Sequence, residues 1–197
     1  MPLATVDDVA ARIGRAVSTD ENPRISAFLT DVTGLIEDYC GRDLTRRQSE
    51  TFTLVPEGAY RLTVPGRFAT FLAVDAVHQG GQALDDWTWT GRHLVRAAGW
   101  GQPIVTVTGS WGYPTPPASL RAVACSEVIR WLALSPGVES ERVGEVEVSF
   151  AGASSAQSLS SVSKASLKPY RRRGAGSITL LREGPRLDTR GAHVLYD

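Results

Sequence analysis

The sequence predicts an α+β protein: a helical bundle core of three to four helices, an inserted small antiparallel β-subdomain and an extended C-terminal arm. Three observations predict it. Apolar residues recur at helical spacing through residues 1–44 and again within 111–170. Between residues 45 and 110 the spacing changes to the alternation of strands. Residues 171–197 are basic and carry too few apolar side chains to build a core, yet SITLL and HVLY within them are β-prone, as expected of an arm that orders against a partner.

The first helix is expected at Thr5–Ile13. Thr5 can cap it, Asp8 completes a capping-box pair, Val6, Val9, Ala10 and Ile13 form its stripe, and Gly14 ends it. Asn22 is the expected cap of a longer second helix with Pro23 in its first turn. Its stripe runs through Ile25, Phe28, Leu29, Val32, Leu35, Ile36, Tyr39 and Cys40 to a stop at Gly41. Asp31, Glu37 and Asp38 fall off that stripe, which predicts a wet acidic face.

In the β-region, ETFTLV and YRLTV read as a hairpin, with Phe52 and Leu54 facing Leu62 and Val64 across Pro56–Ala59. FLAVDAVHQGGQAL reads as a strand and a Gly80-Gly81 turn, and DDWTWT places Trp87 and Trp89 on one face. HLVRAAGWGQPIVTVTGSW closes the region, and Trp87, Trp89, Trp100 and Trp111 are expected to fill its small core. At GSWGYPTPP the strand turns into a helix: Gly112 permits the turn, Trp111 and Tyr113 plug the junction, and Pro116-Pro117 start a helix reaching Leu134. That helix is apolar around Leu120, Val123, Ala124, Val128, Trp131 and Leu132, widened by Cys125, Ile129 and Leu134, and Ser135-Pro136-Gly137 stops it. GEVEVSF is a short strand. A Ser/Ala/Gly-rich stretch follows, and Ser158 is the expected cap of a last helix in which Leu159, Val162, Ser166, Leu167 and Tyr170 share a face.

The bulk numbers fit this plan. A chain of 197 residues with 42% hydrophobic and 21% charged residues can bury one ordinary core, with or without an inserted subdomain. No apolar run reaches membrane-spanning length, so no membrane partner is expected, and MPLATVDDVAAR lacks the pattern of a secretion signal. Cys40 and Cys125 sit among apolar residues and read as buried thiols made in a reducing compartment. Formal charge sums to zero but is uneven. Residues 1–44 hold eight acids and four bases, a net of −4, and residues 164–197 hold three acids and eight bases, a net of +5. An acidic head and a basic tail suggest electrostatic docking to another subunit or to a polyanion.

Chemistry is hard to find. His78, His93 and His193 are isolated, the cysteines are far apart, and neither a phosphate-cradling glycine loop nor a Gly-x-Ser-x-Gly elbow occurs. Asp7/Asp8 are placed to support a helix start, and Asp85/Asp86 a turn. The expectation is therefore no enzyme, no catalytic residue, no metal and no cofactor. Arg171-Arg172-Arg173 is the densest charge feature. It is either a solvated cluster after a helix or a clamp on phosphates or an acidic partner surface.

Three blocks of the chain resemble a known family in their order. ATVDDVAARIGR followed by ISAFLTDVTGLIEDYCGRDL resembles the opening of head-to-tail connector (adaptor) proteins of long-tailed phages and prophages. PIVTVTGSWGYPTPPASLRAVACSEVIRWL resembles their strand, turn and apolar helix, and SLSSVSKASLKPYRRR resembles their last helix, with Leu167, Tyr170 and Arg171 at the family's spacing. The blocks cover about half the chain, in the expected order. The β-region at 45–110 is longer than in the mostly helical members, and the residues after Arg173 match no family motif.

The resemblance implies a structural virion protein made in the host cytoplasm and placed at the virion neck. It implies a homo-oligomeric ring, typically a dodecamer, that touches the portal protein and a tail-side stopper and lets genomic DNA pass without reading its sequence. Tyr170, Arg171, Arg172, Arg173, Ile178, Leu180 and Leu181 are then the expected contacts to the portal or a neighbouring subunit. Two alternatives stay open: a DNA-binding module using the basic C-terminal segment, and another neck protein, a stopper or terminator.

Overall fold

The computed structural model of the chain describes residues 1–56, 60–133, 140–143, 146–149 and 157–172. It is an α+β structure. Helices α1 (Val6–Ile13) and α2 (Asn22–Cys40) come first, and strands β1 (Arg47–Leu54), β2 (Arg61–Thr63), β3 (Ala73–Gln79), β4 (Gln82–Leu84), β5 (Trp87–Trp89), β6 (His93–Arg96) and β7 (Val105–Trp111) follow. Then come helix α3 (Ala118–Ala133), strands β8 (Ser140–Val143) and β9 (Val146–Ser149), helix α4 (Ser161–Leu167) and a 3₁₀ turn at Lys168–Tyr170. GEVEVSF supplies β9 over part of its length, paired antiparallel with β8. Leu134 and the Ser135-Pro136-Gly137 stop lie outside the described residues, as does Pro56–Ala59 beyond Pro56.

Local chemistry sets the helix ends. The capping box of α1 is formed, with Thr5 Oγ1 accepting from Asp8 N at 3.1 Å and Asp8 Oδ2 accepting from Thr5 N at 3.0 Å. Gly14 and Gly41 end α1 and α2 in the left-handed conformation. Asn22 is not the cap of α2. The helix begins at it, with Glu21 before it, and Asn22 Oδ1 instead accepts from Ser26 Oγ at 3.2 Å. Ser18 and Glu21 close that entry, because Glu21 bridges Ser18 to Arg15, whose guanidinium lies 2.7 Å from both carboxylate oxygens. Ser158 is likewise not the cap of α4. Ser160 is, its Oγ accepting from Ser163 N at 3.1 Å. Ser163 and Leu167 of this helix are buried, with Leu159 just before its cap, while Val162 and Ser166 face outward instead of sharing that face.

Apolar residues gather in two clusters. One takes Leu3, Val9, Ile25, Leu29, Val32 and Ile36 from the first two helices, joined by Leu120, Ala124, Val128 and Trp131 of α3 and by Leu159 and Leu167. Cys40 and Cys125 lie in it as buried free thiols, and burial pushes Cys40 up to about 11. The other lies among the strands, with Phe52, Leu54, Leu62, Val64, Val77, Leu94, Trp100, Val107 and Trp111. Trp87 and Trp89 are half-buried against it, with Thr88 and Thr90 exposed.

Strand pairing departs from the simple hairpin. The four-stranded sheet runs β1-β7-β3-β4 and a separate three-stranded sheet runs β2-β6-β5, so β1 and β2 never pair. Phe52 and Leu54 lie opposite Val107 and Val105 of β7, while Leu62 pairs with Leu94. The four residues do share one core, reached from two sheets. The β3–β4 hairpin across Gly80-Gly81 is formed as expected. Strand β7 is the spine: every second residue from Val105 to Trp111 is buried, and Val107 sits between Phe52 and Val77.

Candidate partner interface

Of the expected contacts, the described ones, Tyr170, Arg171 and Arg172, lie where α2 ends, β7 turns into α3 and the last helix finishes. Glu37 is the unexpected member. Instead of facing water it is buried, because Oε1 accepts from Leu44 N, Thr45 N and Thr45 Oγ1, each at 2.8 Å. Spacing along the helix put it off the apolar stripe, but the chain folds back after Gly41 and brings its own backbone donors to the carboxylate. Asp31 and Asp38 remain exposed.

Two residues beyond Gly41, Asp43 does similar work. Its carboxylate accepts from Trp111 Nε1 at 2.9 Å and from Arg67 Nε at 2.8 Å, and its N–H donates to Arg67 O. Leu44 O takes the Tyr113 N–H at 2.9 Å, and Thr70 O takes the Gly112 N–H at 2.7 Å. Gly112 has φ +83, and a Cβ there would sit closer to Thr45 O than the 3.0 Å that real Cβ atoms keep. No other residue fits that turn without moving the backbone.

The third segment arrives through Tyr170. Its hydroxyl and Ser119 Oγ are 2.5 Å apart, one donating to the other, and its ring meets Tyr113 edge-on at 6.4 Å. Tyr39 Oη donates to Lys164 O at 3.2 Å, and the Arg171 guanidinium lies 5.4 Å from the Tyr39 ring centroid. Arg172 N donates to Cys40 O at 2.7 Å and so satisfies a carbonyl that the end of α2 leaves open. Its side chain crosses Gly66, where a Cβ would come within 2.8 Å of Arg172 Nε. Cations beside the negative end of the α2 dipole are favourable, although the helix is not the one that precedes them in the chain.

Of the expected contacts, Tyr170 is half-buried and Arg171 and Arg172 are exposed at this junction. Arg173, Ile178, Leu180 and Leu181 lie outside the described residues. Sequence reasoning put Glu37 on a wet face and made nothing of Asp43 or of Phe71, which has φ +50, is 64% exposed and packs edge-on against Tyr113 at 5.2 Å. Nothing in the local sequence Ala69-Thr70-Phe71-Leu72 signals a left-handed residue.

A second buried acid sits elsewhere. Glu127, 1% exposed on α3, accepts from Ser160 N at 3.1 Å and Ser160 Oγ at 2.6 Å, and from the Arg130 guanidinium at 2.9 and 2.6 Å. Burial pushes its carboxyl up, but the donors on Ser160, Ser163 and Arg130 together hold it below its ordinary 4.5. This fixes the entry of α4 against α3. Among the described residues, no group of three or more His, Cys, Asp or Glu side chains could hold a metal ion, and no helix is long and apolar enough to cross a membrane. No protein-family model matches the chain, and no curated protein sequence matches it.

Proposed function

We propose that the chain is a head-to-tail connector subunit, a structural component of a phage neck that binds the portal on one side and a tail-side stopper on the other. One observation carries the reading. The three blocks that resemble the connector family are far apart in sequence, yet residues of all three lie together: Tyr39 and Cys40 from the first, Tyr113 and Ser119 from the second, Tyr170 and Arg171 from the third. Blocks that meet at one place are what a shared subunit core requires. In this reading residues 1–44 and 111–170 form the helical bundle core of a ring subunit. Residues 45–110 are an inserted β-subdomain and residues 171–197 a docking arm. DNA passes through the ring without sequence recognition, and the subunit performs no catalysis.

Cosedimentation tests it. Mixed with tailless DNA-filled heads, or with purified portal rings, the chain is expected to travel with them, and alone to stay in the light fractions. A chain that associates with neither heads nor portal overturns the reading. A second reading, a free DNA-binding module, draws on the exposure of Arg171 and Arg172 without a carboxylate partner among the described residues. It requires binding to duplex DNA that weakens steeply with salt and disappears in Arg171→Ala/Arg172→Ala.

A further inference from the structure

Phe71 is an exposed aromatic held in a backbone conformation that bulky residues seldom adopt. Its φ of +50 lies in the left-handed region, and 64% of its surface faces solvent. Strain of this kind persists only where the surroundings enforce it, and it concentrates at functional surfaces. The surroundings are specific. Phe71 packs edge-on against Tyr113 at 5.2 Å, and Tyr113 against Tyr170 at 6.4 Å. Tyr170 leads into Arg171 and Arg172, and the Arg172 side chain returns across Gly66, in the loop that carries Phe71. Arg67 of the same loop is matched by Asp43, and Arg47 at the start of β1 by Glu37 and Glu50. Among the described residues Arg171 and Arg172 have no carboxylate within ion-pair distance, so their charge is left for something else.

We infer that Phe71, Tyr113, Tyr170, Arg171 and Arg172 form one docking ledge for an acidic segment of another protein, which places an apolar side chain against Phe71 and its carboxylates on the two guanidinium groups. The inference rests on Tyr170–Arg172 as a partner contact and adds two residues and a partner chemistry to it. Aromatic and arginine side chains in contact are the composition of interface hot spots. Nucleic acid fits less well. A strand-binding groove tracks several phosphates with a row of free cations, whereas Arg67 here is already matched by Asp43 and is acted on by the exposed Asp38 as well. A second copy of the chain also fits poorly. Its exposed α2 acids, Asp31 and Asp38, have no large exposed apolar side chain on their helix to meet Phe71.

Fluorescence anisotropy of the full chain at low salt tests the ledge, using three labelled probes: a glutamate–tyrosine copolymer, polyglutamate and oligothymidylate. The copolymer is expected to bind best, about thirtyfold tighter than polyglutamate, the size of one hot-spot contact. Phe71→Ala brings the copolymer down to the polyglutamate level and leaves polyglutamate unchanged. Arg171→Glu/Arg172→Glu loses both. Phe71→Gly weakens copolymer binding as Phe71→Ala does but raises the thermal midpoint, because glycine accepts a positive φ, so lost binding cannot be ascribed to unfolding. The inference is overturned by copolymer binding no tighter than polyglutamate, by a preference that survives Phe71→Ala, or by tighter binding of oligothymidylate. Concentration-dependent self-association that Phe71→Ala abolishes overturns it as well, by putting a second copy on the ledge. Any of these leaves the cosedimentation with heads as an independent result.

Discussion

In the strand region the buried side chains are apolar but for Thr70, and the core is built from Phe52, Val77 and Val107 of one sheet and Leu62 and Leu94 of the other. The helical cluster contains Glu127, 1% exposed, and the boundary between the two contains Glu37 and Asp43. These three acids share a feature that the strand core lacks: each accepts from groups on a segment that has just turned a corner. Glu127 takes the N-terminus of α4, Glu37 the chain leaving α2, and Asp43 the indole at the end of β7 and the loop at Arg67. Buried charge here marks joins between segments, while apolar packing holds the elements themselves. An acid whose donors are preorganised fixes a geometry that hydrophobic contact, being non-directional, leaves loose.

If that contrast is right, the joins should fail more sharply than the cores. Gly112→Ala is expected to be the most damaging change, costing more than about 3 kcal/mol or preventing folding, because both the positive φ and the Thr45 carbonyl oppose a Cβ. Chemical denaturation against the wild type measures it. Glu127→Ala follows at about 3 kcal/mol, since it removes a carboxylate that is 1% exposed and holds the Ser160 N–H and hydroxyl at the entry of α4. Within the strand cluster, Val107→Ala removes apolar contact only and should cost about 2 kcal/mol. If Val107→Ala proves worse than Glu127→Ala, the contrast between joins and cores falls.

Acid should find the same place. The ionised form of Glu127 is the one its donors hold, so its folded value lies below the ordinary 4.5. The stability this confers is complete above pH 4.5 and drains as the pH falls through the depressed folded value. Glu127→Gln is expected to flatten the acid limb of a stability–pH curve, and a limb unchanged by that substitution would show that other carboxylates set it. Smallest of all, Arg171→Ala should change stability by no more than about 0.5 kcal/mol, as an exposed cation resting on a tyrosine face, while its effect on partner binding is large.

Elements with a local cause were readable from the sequence. The capping box at Thr5 and Asp8, the stop at Gly41, the Gly80-Gly81 hairpin and the turn at Gly112 each depend on residues within a few positions. Strand partners were not. Phe52 and Leu54 look as if they should face Leu62 and Val64, but β7, about a quarter of the chain further on, supplies the neighbouring strand and only the sum of packing on both faces decides between them. Glu37 was misplaced for a related reason, since helical spacing describes a face and says nothing of the chain that folds over it. Tyr170 and Arg171 were singled out by the resemblance of their spacing to the connector family, and the surface they rest on, Tyr39, Ser119 and Tyr113, comes from two other parts of the chain that no local spacing joins to them.

The account depends most on those distant segments behaving as one unit. Native-state hydrogen exchange reads this directly through the amides of Leu44, Thr45, Tyr113 and Arg172, whose acceptors are the Glu37 carboxylate, the Leu44 carbonyl and the Cys40 carbonyl. All four are expected to be protected and to open with one common free energy. Fast exchange at Arg172 while Leu44, Thr45 and Tyr113 stay protected would contradict it, because the last segment would then not belong to the junction at all.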